Sequence, residues 1–234
     1  GLVVDHDLRA LALSDSGELR AAGIPAEVYL GASGMKAQMK YADRRLSPAA
    51  IMLGGAADLE QVYPLCWGFD VAVQAGGHCG VWPRDLGVKF GAVYTFEPDP
   101  VNFHCLCANA PAQNVFKFNA ALGDKRGLVD LDRRPANCGA HQVSGPGRIP
   151  VLMIDDLGLS SCDLIYLDIE GYELPALKGA HRTIQAFRPV IAVEDKGMSS
   201  RYGIEVGEVE RWVCDSFCYR VALRPQRDVV MVPC

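Results

Sequence analysis

The stretch Phe69-Asp-Val-Ala-Val-Gln-Ala-Gly-Gly-His-Cys-Gly-Val-Trp-Pro83, taken with Val93-Tyr-Thr-Phe-Glu97, decides the fold. Phe69 to Ala75 is a short apolar run in which Val71 and Val73 favour extended backbone, so it reads as a buried strand. Gly76-Gly77 and then Gly80 break it, at a place where a side chain would block either a turn or a close ligand. Pro83 suits the first turn of a helix, where its missing N–H costs nothing. Gly91 to Phe96 reads as a second strand and ends in Glu97. Strand, glycine turn, helix, strand and terminal acid follow in the order that nucleoside-binding β-α-β units require. In such a unit, N–H groups at the helix start approach the ligand and the carboxylate accepts bonds from both ribose hydroxyls. The plainer reading of the same residues is a structural turn with Glu97 in solvent.

The 234 residues suffice for a full core and fit one domain with additions better than two domains. Half the residues are apolar and 22% are charged, as in an ordinary globular protein. A net charge of -5 argues against a duplex nucleic-acid binder. No apolar run reaches the length of a membrane span, and the start shows no signal-peptide pattern. Gly1 in place of methionine suggests a trimmed start. The nine cysteines are scattered without a C-x-x-C pair, which argues against zinc and suits buried free thiols in a reducing cytoplasm. The expected location is cytoplasmic.

Residues 1–60 read as an N-terminal extension or cap segment, and 61–234 as the main domain. Short strands or a helix are expected at Leu8 to Leu13 and Ala26 to Leu30, and helices over Met35 to Arg45 and Ala56 to Cys66. A structural role for the segment is favoured over a cap on the substrate site. Pro100, Val101, Phe103, Leu106 and Ala110 predict a helix with Asp99 near its start, where an acid suits the dipole. Val115 to Asn119 reads as the third strand. The polar excursion Gly127 to Gly147, with Arg133-Arg134-Pro135 and Gly145-Pro-Gly147, reads either as a lid or substrate loop or as a solvated edge hairpin. Cys162 to Asp168 predicts a fourth strand, followed by one helix carrying Leu174, Leu177, Ile184 and Phe187. Val190 to Val193 predicts a fifth strand ending in Glu194, and Val206 to Phe217 a helix. Tyr219 to Leu223 and Val229 to Val232 form a hairpin around Pro225-Gln-Arg-Asp228. The fold class is therefore α/β, a mostly parallel sheet with an antiparallel terminal hairpin strand and helices on both faces.

Open α/β sheets bind ligands at the carboxyl ends of their strands. Gly76, Gly77, Gly80, Glu97, the Ala121-Leu122 region, Asp168 and Glu194 are all expected there, and core strands have no structural need for terminal acids.

Phe96-Glu-Pro98, Ala121-Leu-Gly-Asp124, Ile154-Asp-Asp-Leu157, Leu167-Asp-Ile-Glu-Gly-Tyr-Glu-Leu-Pro-Ala-Leu-Lys-Gly-Ala180 and Arg188-Pro-Val-Ile-Ala-Val-Glu194 resemble the FkbM-type S-adenosylmethionine-dependent methyltransferases. The resemblance covers about residues 60–195, and its specific part is the run from Asp168 to Ala180. It implies a Rossmann-like fold and O-methyltransferase activity. On that resemblance Gln74, Ala75, Gly76, Gly77 and Gly80 would border the methionine part of the cofactor. Glu97 with Pro98 would take the ribose, and Ala121, Leu122 and Asp124 would lie near adenine. Asp168 and Glu170 would face the sulfonium and the incoming substrate. The first motif departs from the family: Gln74 and His78 stand where Asp and Asn are usual, and Gly77 replaces Ala. Gln74 thus brings no negative charge for the methionine ammonium.

The mechanism implied is in-line methyl transfer to a substrate hydroxyl, with positioning supplying much of the rate. Asp168, Glu170, Glu194 and His78 are the candidate bases, His78 having the ordinary pKa nearest neutrality. Glu170 is alternatively a cap for the helix beginning near Tyr172. Asp168 and Glu194 could bracket a divalent metal, but the sequence supplies no clear third ligand, so no metal is assigned. The expected partner is a small-molecule or glycan hydroxyl substrate, with a nucleic-acid end disfavoured by charge and no membrane. Arg133, Arg134 and Arg148 would read an anionic substrate. Two other classes compete: a non-catalytic scaffold on the same fold, and an NAD-dependent oxidoreductase. The latter would want Gly-x-Gly-x-x-Gly and a wholly parallel sheet.

Overall fold

The computed structural model describes residues 2–4, 51–53, 59–133, 141–195, 197–225 and 228–234. The chain divides into two compact units, Gly1–Gly55 and Ala56–Cys234. In the first, β1 (Leu2–Val4) and β2 (Ile51–Leu53) pair in parallel. The expectations for Leu8 to Leu13, Ala26 to Leu30 and Met35 to Arg45 lie outside the described residues.

The second unit opens with α1 (Leu59–Val62) and a 3₁₀ turn over Tyr63–Leu65. The β-α-β unit follows as β3 (Val71–Ala75), α2 (Val81–Lys89) and β4 (Ala92–Phe96). Next come α3 (Pro100–Asn109), β5 (Val115–Phe118), β6 (Ala121–Leu122), β7 (Gly127–Asp132) and β8 (Gln142–Leu152). The chain then forms β9 (Leu164–Leu167), α4 (Glu173–Lys178), α5 (His181–Phe187) and β10 (Val190–Glu194). It ends in α6 (Glu208–Phe217), β11 (Tyr219–Leu223) and β12 (Asp228–Pro233). The main sheet has the order β11-β12-β10-β9-β3-β4-β5. Only β12 opposes the other strands, as the expected antiparallel strand of the closing hairpin.

Alternation along the strands sends neighbouring side chains to opposite faces. Val73, Ala75, Ile165, Leu167, Ile191 and Val193 pack with Leu177, Ile184, Val213 and Phe217 on one face. Ala72, Leu164, Tyr166 and Ala192 pack with Leu59, Leu86 and Leu106 on the other. No helix among the described residues is long and apolar enough to cross a membrane.

Two expectations change and one open alternative resolves. The single helix after β9 is two helices, divided at Gly179-Ala180. A Cβ at Gly179 would lie 2.0 Å from the Gly123 carbonyl oxygen, and Asp155 caps the second helix by accepting from Arg182 N–H at 3.0 Å and Thr183 N–H at 2.8 Å. The polar excursion takes its hairpin form, β7 against β8, joined by β6 into a separate three-stranded sheet. The thiols are not uniformly buried, since Cys107, Cys218 and Cys234 are exposed.

Candidate functional site

The five parallel core strands end along one edge. Ala75 pairs with Phe96 and Leu167, Phe96 with Phe118, and Leu167 with Val193. The next residues, Gly76, Glu97, Asn119, Asp168 and Glu194, therefore form a row at the carboxyl ends, where open sheets bind ligands. Both Gly76 and Gly77 donate their N–H to the Phe96 carbonyl, at 3.1 and 2.9 Å. Gly76 has φ +83°, and a Cβ there would lie 1.9 Å from the Asp168 carbonyl oxygen. Gly80 closes a turn onto the Gly77 carbonyl at 2.8 Å and starts α2 with φ +96°. The sequence offered a turn or a close ligand as the reason for these glycines, and contacts within the protein already require Gly76.

Glu97 is only 5% exposed. Its Oε2 accepts from His78 N–H at 2.7 Å and its Oε1 from Asp99 N–H at 2.8 Å, while Asn119 Nδ2 donates to the Glu97 carbonyl at 2.9 Å. The solvated Glu97 of the plainer reading is thus replaced by a buried one. Burial raises its carboxyl to about 7, against the opposing pull of the two backbone bonds. His78 has φ +45° and holds Nδ1 3.1 Å from Cys79 Sγ. Burial, aided by His141, lowers its pKa, and Asp168 and Asp99 oppose the shift.

Gln74 does not join this row. Its side chain is 0% exposed on the β3 face opposite Val73, where Oε1 accepts from Thr95 Oγ1 at 2.5 Å and Nε2 donates to the Ala75 carbonyl at 3.0 Å. In this structure the side chain is thus engaged with Thr95 and the Ala75 carbonyl. Ala75 is buried in the core. Ala121 and Leu122 are buried in the small sheet, whereas Asp124 is exposed. Pro98 lines a groove of ≈ 680 Å³ with Asn119, Asp130, Arg133, Arg148 and Pro150. Arg134 lies outside the described residues.

One carboxylate oxygen each from Asp168, Glu170 and Glu194 gathers within 4.8 Å of the others. Glu170 stands where the third oxygen ligand that the sequence left open would stand, and acidic groups also cluster in this way without an ion. At the start of α4 the N-cap residue is Tyr172, without a side-chain cap bond, and the acid that holds backbone N–H groups just ahead of the helix is Glu173. Its Oε1 accepts from Ile169 and Gly171 N–H, both at 3.1 Å, and burial raises this carboxyl to about 7.

Sequence reasoning missed how Asp99 ties the hairpin to the site. Oδ1 caps α3 by accepting from Val101 and Asn102 N–H at 2.9 and 3.1 Å, as its position suggested. Oδ2 also accepts from Arg133 Nε at 2.8 Å and lies 3.6 Å from His141 Nδ1, which has no hydrogen-bond partner among the described residues. Burial pushes Asp99 up, but the Asn102 and Val101 bonds and Arg133 outweigh it and hold the carboxyl low. The Arg-Arg pair marked the loop, while nothing in the spacing of His141 marked its approach. Asp99→Ala should cost about 1–2 kcal/mol through the lost cap. Asp99→Asn keeps Oδ1 and loses only the pair with half-exposed Arg133, about 0.5 kcal/mol. Thermal unfolding of the two variants checks the ranking.

A glycine turn after the first core strand, an acid ending the second and one antiparallel strand near the edge of a seven-stranded sheet define a Rossmann-like methyltransferase fold. Residues 76–221 match the methyltransferase FkbM domain, and the chain belongs to that family. The match starts later than the resemblance in the sequence and extends into β11. A solved FkbM methyltransferase from Methylobacillus flagellatus superposes with TM-score 0.48 at 17% identity, covering 98% of this chain and 72% of that one. A TehB-like methyltransferase from Corynebacterium glutamicum gives 0.45 at 15% identity, covering 84% and 96%. Among curated proteins, the histidine–tRNA ligase of Caulobacter vibrioides is 80% identical over 39 residues, 17% of this chain and 8% of the ligase. That of Mesorhizobium japonicum is 57% identical over 56 residues, 23% of this chain and 11% of the ligase. The chain thus spans about a tenth of the length of these ligases.

Proposed function

We propose that the chain is an S-adenosylmethionine-dependent methyltransferase acting on a substrate oxygen. The observation that supports this most is the row of Gly76, Glu97, Asp168 and Glu194 along the carboxyl edge of a sheet in a methyltransferase family. The donor set at Glu97 fits an adenosyl group. Each carboxylate oxygen accepts one backbone N–H and the Asn102 side chain bonds the carboxylate as well, which leaves acceptor capacity for a ribose hydroxyl. When bound, the cofactor supplies an electrophilic methyl on sulfur. Gly76, Gly77 and Gly80 would border its methionine part, Glu97 and Pro98 its ribose, and Ala121, Leu122 and Asp124 its adenine side. Asp168, Glu170, Glu194 and His78 would orient the acceptor hydroxyl and take its proton. A lowered pKa keeps His78 neutral at pH 7, the form that accepts a proton. The reading assigns no metal. It keeps residues 1–60 as a separate segment ahead of a methyltransferase domain over 61–234.

Calorimetric titration with S-adenosylmethionine should show binding, and methyl-labelled cofactor should label an oxygen in a pool of hydroxylated acceptors. No binding, or label found on nitrogen or carbon, overturns the reading. Arg133 and Arg148 on one groove favour an anionic acceptor. Arg133 also holds Asp99, so Arg148 is the cleaner probe. Arg148→Ala should raise KM for an anionic acceptor about 5–20-fold at constant kcat, the loss of one charge-assisted bond. An unchanged KM removes the arginines from recognition.

A further inference from the structure

We propose that Cys218 and Cys234 form a thiol pair at which a disulfide closes the β11–β12 hairpin. The register pairs Tyr219 with Pro233, Arg220 with Val232 and Val221 with Met231, so Cys218 and Cys234 stand directly opposite one another one step further on. Cys234 N–H donates to the Cys218 carbonyl at 3.0 Å. That backbone bond brings the two residues side by side where the ladder ends, and a disulfide spans Cα separations of about 4.4–6.8 Å. Both residues are exposed. The Cys218 thiol pushes the Cys234 pKa up, while Arg220 and Arg188 pull it down.

The backbone supplies an independent observation. Cys218 is the C-cap of α6 at φ +56° and ψ +64°, a left-handed position that glycine normally fills. Cysteine is a costly choice there if its only task is to end a helix. Arg188 holds this corner by donating to the Phe217 carbonyl and, at 3.1 Å, to the Cys218 carbonyl.

The oxidant is a hydroperoxide. One thiolate attacks a peroxide oxygen, breaking the O–O bond to give a sulfenic acid and hydroxide, which takes up a proton to become water. The second sulfur then displaces the sulfenic oxygen as a second water, forming S–S. Two thiols are oxidised by two electrons and one hydrogen peroxide is reduced to two waters.

The test treats the reduced full chain, freed of reductant, with hydrogen peroxide, then alkylates and maps the peptides. A linked Cys218–Cys234 peptide is expected, with both thiols protected from alkylation, reversal by dithiothreitol, and an unfolding midpoint raised by about 5–10 °C. Cys107 is the exposed control. Cys105 lies two residues away on the same helix, a spacing at which side chains do not face each other. If Cys218 and Cys234 stay as alkylatable as Cys107, or oxidise singly to sulfinic acid, the proposal is overturned. Cys218→Gly gives a second arm: in reductant it should melt no lower than the parent, and it should lose the peroxide-dependent gain. A gain that persists in Cys218→Gly also overturns the pair.

Discussion

Gly76→Ala should lower stability by at least about 3 kcal/mol and the unfolding midpoint by at least about 6 °C. Two costs meet at this position. The φ of +83° is a region that an L side chain enters only with strain. The new methyl would also lie 1.9 Å from the Asp168 carbonyl oxygen, a backbone atom on the adjacent strand that no rotamer change can move. Relief requires β3 and β9 to part where Asp168 N–H donates to the Ala75 carbonyl at 3.1 Å, so the pairing itself is lost. Gly203→Ala separates the two costs. Gly203 has φ +73° but nothing within 4 Å of an added Cβ, so it should lose only about 1–2 kcal/mol. Circular dichroism melts of both variants would decide. Equal losses would mean that the turn carries strain alone, without the close approach of the two strands.

The glycine turn, the sheet and its closing hairpin were legible because each rests on local chemistry. Val71 and Val73 favour extended backbone, Gly76 and Gly80 take positive φ, and Asp99 caps the helix that follows it. The strand ends were legible for the same reason, since an acid at the end of a buried run has little use in a core. The partner of Gln74 was not legible, because its position in the motif says nothing of which face of β3 it occupies; the pairing of β3 with β4 brings Thr95 to it. His141 and Arg133 reach the Asp99 carboxylate only because β7 and β8 pair across the polar excursion. That contact is set by long-range pairing and leaves no mark on local spacing. The division of one expected helix into α4 and α5 has the same origin, since the Gly123 carbonyl and Asp155 come from elsewhere in the chain.

Glu97→Ala should weaken S-adenosylmethionine binding by about 1.5–3 kcal/mol, roughly 10–150-fold in Kd, through loss of charge-assisted bonds to the ribose. The pH dependence tells this role from a structural one. In the unliganded protein burial lifts the carboxyl from its ordinary 4.5 to about 7. A raised pKa favours the protonated form in the fold. Its contribution to stability is therefore complete below about pH 4.5 and is lost as pH rises through about 7. Binding should follow the opposite trend. The ionised carboxylate accepts from two hydroxyls, whereas the protonated form has given one oxygen over to a donor, so affinity should rise as pH passes about 7. Glu97→Gln removes both trends together. Glu173, also raised to about 7 by burial, adds a stability change of the same sign but caps the Ile169–Gly171 backbone, so it leaves the binding trend untouched. Calorimetry across about pH 6 to about pH 8 on the parent and both variants reads the binding arm, and denaturant melts read the other. An affinity that stays flat with pH and survives in Glu97→Ala would leave the carboxylate only partners within the protein, the His78 and Asp99 N–H groups and the Asn102 side chain, and the ribose assignment would fall.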